Sequence, residues 1–298
     1  MATDQRSLPA YFSVDADFQA WVQGLQAQFA ACGLVRTADT GQINSSTVLK
    51  PAAASTSQGY EVYRFGDLAQ ASLPLFFKIE YGSGAVAADR PCIWITVGTG
   101  SSGAGVIGGG GTAVARNAFY AAASKSAGVT LPSYCSGDGG RIALVVNYDA
   151  SNSTFGFGFV IDRLRDPRGQ PSGEASMVFA FISNVWSIQV VTALWALATQ
   201  QAVGTTLPYF PLPHATNTGI FLGSGQSKWG AQIAVLPLMC LLGQLRFVLA
   251  AGFYSTSDVG VSGVVQPNVN TLGALHTFLL LPTLNFNAVG DGLAILWE

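Results

Sequence analysis

Charged side chains are scarce in this chain. Lys and Arg number 14 and Asp and Glu 16 in 298 residues, 10% in all, where an ordinary soluble domain carries about a quarter. A free monomer keeps itself in solution with a surface of mixed charge. A chain that lacks one covers itself with its own copies, with partner subunits or with lipid. The net charge is −2 and no basic run occurs, which excludes the electrostatic footprint of a nucleic-acid binder. Histidine is nearly missing, with His214 and His276 alone, so zinc ligation has no local support. The four cysteines, Cys32, Cys92, Cys135 and Cys240, lie far apart and form no C-x-x-C pair. They allow three pairings among which the sequence does not choose, and buried reduced thiols are the simplest reading.

Long uninterrupted apolar runs are lacking as well. A membrane helix needs about 20 mostly apolar residues. The best candidates, 175–198 and 231–254, are broken by Ser183, Asn184, Ser187 and Gln189, and by Pro237, Gly243, Gln244 and Arg246. Neither has the Lys/Arg-biased flanks that set topology. Residues 1–10 show no basic-then-apolar signal pattern, and the Pro-rich stretch 207–213 argues against an outer-membrane barrel. Membrane insertion is therefore not expected, and assembly into a larger protein body is.

Catalytic signatures are missing too. Gly98-Thr-Gly100-Ser-Ser-Gly103 is a literal G-x-G-x-x-G after a credible strand, but residues 104–112 (AGVIGGGGT) are poor helix material and no acidic residue lies near position 120. A dinucleotide site needs both features, so no cofactor is expected. The loop reads instead as flexible or tightly turned, or as a place where only glycine lets a neighbouring subunit's backbone approach. No phosphate loop and no nucleophile elbow occur. His214 sits in a Pro-rich loop and His276 abuts an apolar strand, a poor basis for a Ser-His-Asp triad. Asp67, Glu80, Asp89, Asp149, Asp162 and Glu174 are scattered singly, whereas glycosidic chemistry needs two carboxyls within about 5 to 9.5 Å.

What the sequence does contain is one clear helix and many strands. Phe18, Trp21, Val22, Leu25 and Phe29 recur at i, i+3, i+4, i+7 and i+11, a single apolar face at helical period. Ser13, Asp15 or Asp17 can cap its start and Gly33 suits a left-handed end, which predicts a helix over 15–32. Its other face carries Gln19, Gln23 and Gln26, and residues 36–59 read as turns or an extended arm. Strand-like runs follow at 60–65, 75–81, 92–97, 141–148, 155–164 and 175–182, then less clearly at 186–194, 220–222, 232–236, 246–254, 277–284 and 293–297. They are rich in Val, Ile, Phe, Tyr and Trp and bounded by turn residues. The segment 185–203 suits helix and strand equally. The pattern predicts a mainly β fold of packed antiparallel sheets, sandwich-like, with one N-terminal amphipathic helix. It divides into a helix-and-arm segment, 1–50, and a β-rich body, 51–298, with 207–213 the best candidate for a subdivision. The charged segment from Asp162 to Asp166 reads as a hairpin end that protects strands from unwanted pairing.

Several segments resemble uncharacterised virion structural proteins of tailed bacteriophages. The resemblance runs through Phe18-Gln-Ala-Trp21, Val35-Arg-Thr-Ala-Asp-Thr-Gly-Gln-Ile43 and Gly59-Tyr-Glu-Val-Tyr-Arg-Phe65. It continues through 74–84 (PLFFKIEYGSG), 93–100 (IWITVGTG) and 159–169 (FVIDRLRDPRG), and covers roughly 15–180. It implies a non-enzymatic component of a virion, assembled in the host cytoplasm, whose partners are its own copies and other virion proteins. No catalytic residue is carried over. The expected interface residues are Phe18, Trp21, Leu25 and Phe29 of the helix, which would either seal the core or bind a neighbour, and Gly98, Gly100 and Gly103 of the loop. The alternative is a host-surface glycan or receptor binder whose stacking face would use Tyr60, Tyr63, Phe65, Phe76, Phe77, Tyr81 and Trp94; core packing is the plainer role for those aromatics.

Overall fold

The computed structural model describes residues 1–108, 117–120, 125–149, 156–165, 170–180, 186–191, 201–202, 235–242, 246–257, 264–271, 274–282 and 291–297. The chain begins with β1 (Ala2–Pro9), α1 (Asp15–Ala31), β2 (Leu34–Arg36), β3 (Ser57–Phe65), β4 (Phe76–Ser83) and β5 (Pro91–Gly98). A short ribbon, β6 (Gly100–Ser101) and β7 (Ile107–Gly108), precedes β8 (Asn117–Tyr120), β9 (Thr130–Gly137), β10 (Arg141–Val146) and β11 (Phe157–Arg165). Then come β12 (Pro171–Ala180), β13 (Trp186–Val191), β14 (Gln201–Ala202), β15 (Val235–Leu242), β16 (Arg246–Ser257), β17 (Val264–Thr271), β18 (Ala274–Pro282) and β19 (Asp291–Leu296). A seven-stranded sheet has the order β1-β9-β10-β11-β12-β13-β14, one five-stranded sheet the order β2-β3-β4-β5-β8, and another the order β15-β16-β19-β18-β17. The strand pairs are antiparallel, so the fold is mainly β with packed antiparallel sheets and one helix near the N-terminus.

Helix α1 forms where its periodicity predicts, and of the three capping candidates Asp17 closes its start. Val14 is the N-cap residue and supplies no side-chain acceptor. Asp17, three residues on, accepts instead from the backbone N–H groups of Val14 at 3.1 Å and Ser13 at 2.8 Å. That closes the helix entry from inside the first turn, where a carboxylate also suits the helix dipole. At the other end Gly33 takes φ +90, the left-handed turn that glycine adopts at least cost. Gln19 and Gln23 donate to the carbonyls of Val48 and Ser45 at 3.0 and 3.1 Å. The polar helix face therefore holds the 36–56 arm against the protein.

The apolar helix face meets both neighbouring sheets. Phe18, Trp21, Leu25 and Phe29 are fully buried with Tyr63, Phe77, Ile79, Tyr81, Ile93 and Ile95 of one sheet and Leu144, Val146, Phe157 and Phe159 of the other. Edge-to-face ring contacts link Trp21 to Tyr81 at 6.2 Å and Phe29 to Tyr63 at 5.2 Å, a geometry favoured by the ring quadrupoles. Along β10, alternate side chains face opposite ways. Ile142, Leu144 and Val146 enter this core, while Ala143 and Val145 are buried on the reverse face. The third sheet lies against that face, with Trp297 edge-on to Tyr134 at 6.0 Å and Ser136 Oγ donating to Leu296 O at 2.6 Å.

Some strands depart from the sequence reading. β1, β2, β8, β9 and β17 were not expected, because they are short, polar or contain Pro and Gly in place of an alternating pattern. β17 tolerates Pro267 at a register shift between Gln266 and Val269, where no ladder N–H is needed. Trp186–Val191 is strand, which decides the first part of the ambiguous segment. Residues 166–169, 192–200 and 207–213, the 220–222 run, His214, and residues 109–112 of the glycine-rich loop lie outside the described residues. The apolar segments weighed as membrane spans contribute β12, β13, β15 and β16, and no helix among the described residues is long and apolar enough to cross a membrane.

Candidate functional site

Residues 100–108 of the glycine-rich segment after β5 fold as a hairpin on the protein surface. Thr37, Asp39 and Thr40, from the arm, hold it. Asp39 accepts from Ser101 Oγ, from Thr37 Oγ at 2.6 Å and from the Gly105 N–H at 2.9 Å. The Thr40 N–H donates to Gly103 O at 2.8 Å. Burial acts to raise the Asp39 carboxyl, and the hydrogen bonds from Ser101, Thr37 and Gly105 outweigh it, so that its pKa falls below the usual value. Within the hairpin the Ser102 N–H meets Val106 O at 2.9 Å, and Ser102 Oγ accepts from Ala104 N at 3.1 Å. Gly105, at φ +74, lies flat on the Tyr60 ring, where a Cβ would stand 2.2 Å from the ring carbons. Tyr60 is held in turn by its hydroxyl, which donates to Thr40 O at 2.7 Å, and by the Lys78 ammonium 4.5 Å from the ring centre.

The hairpin separates the three predicted loop glycines. Gly98 is buried at the end of β5, Gly100 is half-buried in β6, and Gly103 is exposed with open space where a Cβ would stand. Around Gly103, Ser102, Ala104 and Val106 are exposed, Val106 at 65%. No helix opens after Gly103; the chain runs into β7. Of the two roles open to the helix face, Phe18, Trp21, Leu25 and Phe29 take the first: they are buried in the protein's own core, between both sheets. Of the aromatics weighed for glycan stacking, Tyr63, Phe65, Phe77 and Tyr81 are core residues and Trp94 is 5% exposed.

Three buried polar clusters were not legible in the sequence. Glu61, fully buried on the core face of β3, accepts at Oε2 from the hydroxyls of Tyr63 and Tyr81, both at 2.6 Å. Arg36 Nε lies 2.7 Å from Oε1, a poorly aligned ion pair, since the same N–H also addresses Gln42 Oε1 at 3.3 Å. Burial, then the charge of Glu61, push the Tyr63 hydroxyl well above its usual pKa; burial, then Tyr63 and Glu61, do the same for Tyr81. The cluster resembles an acid–base site in composition, yet its carboxylate is sealed from solvent and both phenols are committed to it. Its chemistry is to fasten β3 to β4 beneath α1.

Arg163 on β11 forms the second cluster. Its guanidinium reaches Asp67 through Nε at 2.6 Å and Nη2 at 3.1 Å, Leu73 O through Nη1 at 2.6 Å, and Gln70 Oε1 at 3.2 Å. Arg163 is 2% exposed. It is a buried clamp between the two sheets rather than part of a charged hairpin end. The third cluster centres on Asn147, at φ 51, which accepts from Trp21 Nε1 at 3.1 Å and donates to Leu8 O and Pro9 O at 2.9 and 3.1 Å. Asp149 pairs with Lys125. The acidic residues that an enzyme reading would draw on are thus partly spent on structural contacts. Cys32, Cys92 and Cys135 are buried and outside any disulfide, and burial, then a hydrogen bond with Cys32, raise the Cys135 thiol well above its usual pKa.

No family model, curated protein or solved structure matches this chain.

Proposed function

We propose that the chain is a non-enzymatic structural subunit of a tailed-phage virion, acting through contacts with its own copies and with other virion proteins. The observation that carries this reading is the charge deficit, 10% Asp, Glu, Lys and Arg, which leaves little of the ordinary means by which a monomer stays apart from its neighbours. Two features support it. The sequence segments that resemble virion proteins, roughly 15–180, include α1, the arm and most of the strands that pack around it. The surface hairpin is fixed by Asp39 and Tyr60 and offers Gly103, Ala104 and Val106 outward. A contact element already ordered loses little conformational freedom on docking.

Light scattering after size exclusion, at several concentrations, is the first test. A defined oligomer is expected, and mass spectrometry of purified phage particles should find the chain in stoichiometric amount. A chain that stays monomeric throughout and is missing from particles overturns the reading. The glycan-binding alternative loses most of its stacking residues to the core, and a glycan array is expected to show no binding.

A further inference from the structure

We infer that β1 is a self-complementary edge through which a second copy of this chain docks, joining two seven-stranded sheets into one. The inference rests on the assembly reading above and names the partner and the contact. β1 pairs on one side only, with β9, in the register Ala2↔Gly137 to Pro9↔Thr130. The next bond beyond it, from Ala10 N–H to Val129 O at 2.9 Å, follows the same register. In an antiparallel pair, alternate residues turn both backbone groups to the same partner. The even-numbered residues of β1 therefore face β9, and Thr3, Gln5 and Ser7 turn their N–H and C=O groups outward. All three are exposed, and no described residue of the chain meets their backbone groups. Pro9, whose ring nitrogen cannot donate, falls at the end of this outward set, where it costs the β9 ladder nothing.

Charge selects both the occupant and the register. Asp4 and Arg6 share the other face of the strand and pair within the chain, Nε to Oδ1 at 2.8 Å and Nη2 to Oδ2 at 3.0 Å. Exposed edges resist self-association through charged side chains, lysine above all, through inward-pointing charges and through proline, and charges stop protecting an edge where they complement one another across the new pair. This edge carries one charge of each sign, placed symmetrically about Gln5. When two copies of β1 pair antiparallel about a twofold axis at Gln5, Thr3 faces Ser7 of the second copy and Gln5 faces Gln5. Asp4 then stands opposite Arg6 on both sides of the axis, in the closer-spaced non-hydrogen-bonded positions. Centring the pairing on Asp4 or on Arg6 sets like charges against each other, and centring on Arg6 also brings Pro9 into the ladder. The contact is isologous, the commonest kind in closed oligomers.

The test compares the full chain with Gln5→Pro and with charge reversals, by light scattering and sedimentation over a range of concentrations. Gln5→Pro removes an outward N–H and leaves the β9 ladder whole; it is expected to weaken self-association at least tenfold. Asp4→Arg alone and Arg6→Asp alone should weaken it similarly, and the double reversal Asp4→Arg with Arg6→Asp should restore it. Because the double reversal must fold and associate, its recovery separates an interface effect from a folding defect. Amide exchange at Gln5 should slow as concentration rises. An oligomer indifferent to all four variants overturns the β1 contact while leaving the assembly reading standing, whereas a monomer at every concentration overturns both.

Discussion

At the scale of single residues, a few polar side chains carry contacts that no hydrophobic pattern announces. Asn147 joins the Trp21 indole to the carbonyls of Leu8 and Pro9 while adopting a positive φ. Asn147→Ala strands the buried Trp21 indole N–H and takes the amide donor from the Pro9 carbonyl, and places alanine in a left-handed conformation. A loss of about 2–4 kcal/mol in urea unfolding is expected. Asp39 is a local case. Its depressed pKa means that the ionised carboxylate is the form that holds the hairpin. That stabilisation is present above the unfolded value of 3.8 and fades as pH falls through the lower folded value. Amide exchange at Gly105, corrected for intrinsic rates, should stay slow at pH 5 and quicken only below the usual carboxylate range. In Asp39→Ala it should be fast at both, with little change in global stability.

At the scale of elements, Arg163 decides how one sheet sits on the other. β11 contributes the guanidinium; the turn after β3 contributes Asp67, Gln70 and Leu73 O. Removing one partner of a buried ion pair leaves the other uncompensated and costs about 3–5 kcal/mol. Arg163→Ala should therefore lower the unfolding free energy by roughly that amount, less whatever Asp67, 20% exposed, regains from water. Arg163→Lys should restore little, because a point charge cannot reproduce two parallel bonds to one carboxylate. Helix α1 shows the same division of labour. Its apolar stripe buries itself in both sheets, and its glutamines hold the arm by side-chain bonds to backbone carbonyls.

For the whole molecule, the buried tyrosines make stability sensitive to alkali. Tyr63 and Tyr81 have folded pKa values raised well above 10.0, and Tyr134 is raised by burial as well. A group whose folded pKa is raised holds its proton more tightly in the folded state. Its contribution is complete below pH 10 and is lost as pH climbs from there through the folded value. Unfolding free energy should be flat with respect to these groups up to about pH 9. Above pH 10 it should fall by up to about 1.4 kcal/mol per pH unit for each tyrosine still protonated only in the folded state. Urea titrations at pH 9, 10 and 11, followed by tyrosinate absorbance, check this. The double variant Tyr63→Phe with Tyr81→Phe should flatten the slope while destabilising the protein at neutral pH, because Glu61 would lose both donors.

The sequence by itself determined the helix, most of the long strands and the mainly β class. Each rests on a period that survives in any packing: 3.6 for Phe18, Trp21, Leu25 and Phe29, and 2 for Phe157, Phe159 and Ile161. It also exposed the charge deficit, which is composition alone. Tertiary structure decided the rest. β1 and β9 are strands because they pair with each other, and β9 also with β10, and polar residues such as Gln5 and Ser133 reach that state only when a neighbour supplies the ladder. Whether the helix face meets a neighbour or the protein's own core, and whether Arg163 is a surface charge or a clamp, depend on contacts with Asp67, Tyr63 and Tyr81 from other elements. A hydrophobic period is a property of one segment; burial of a charge is a property of what another segment brings to it.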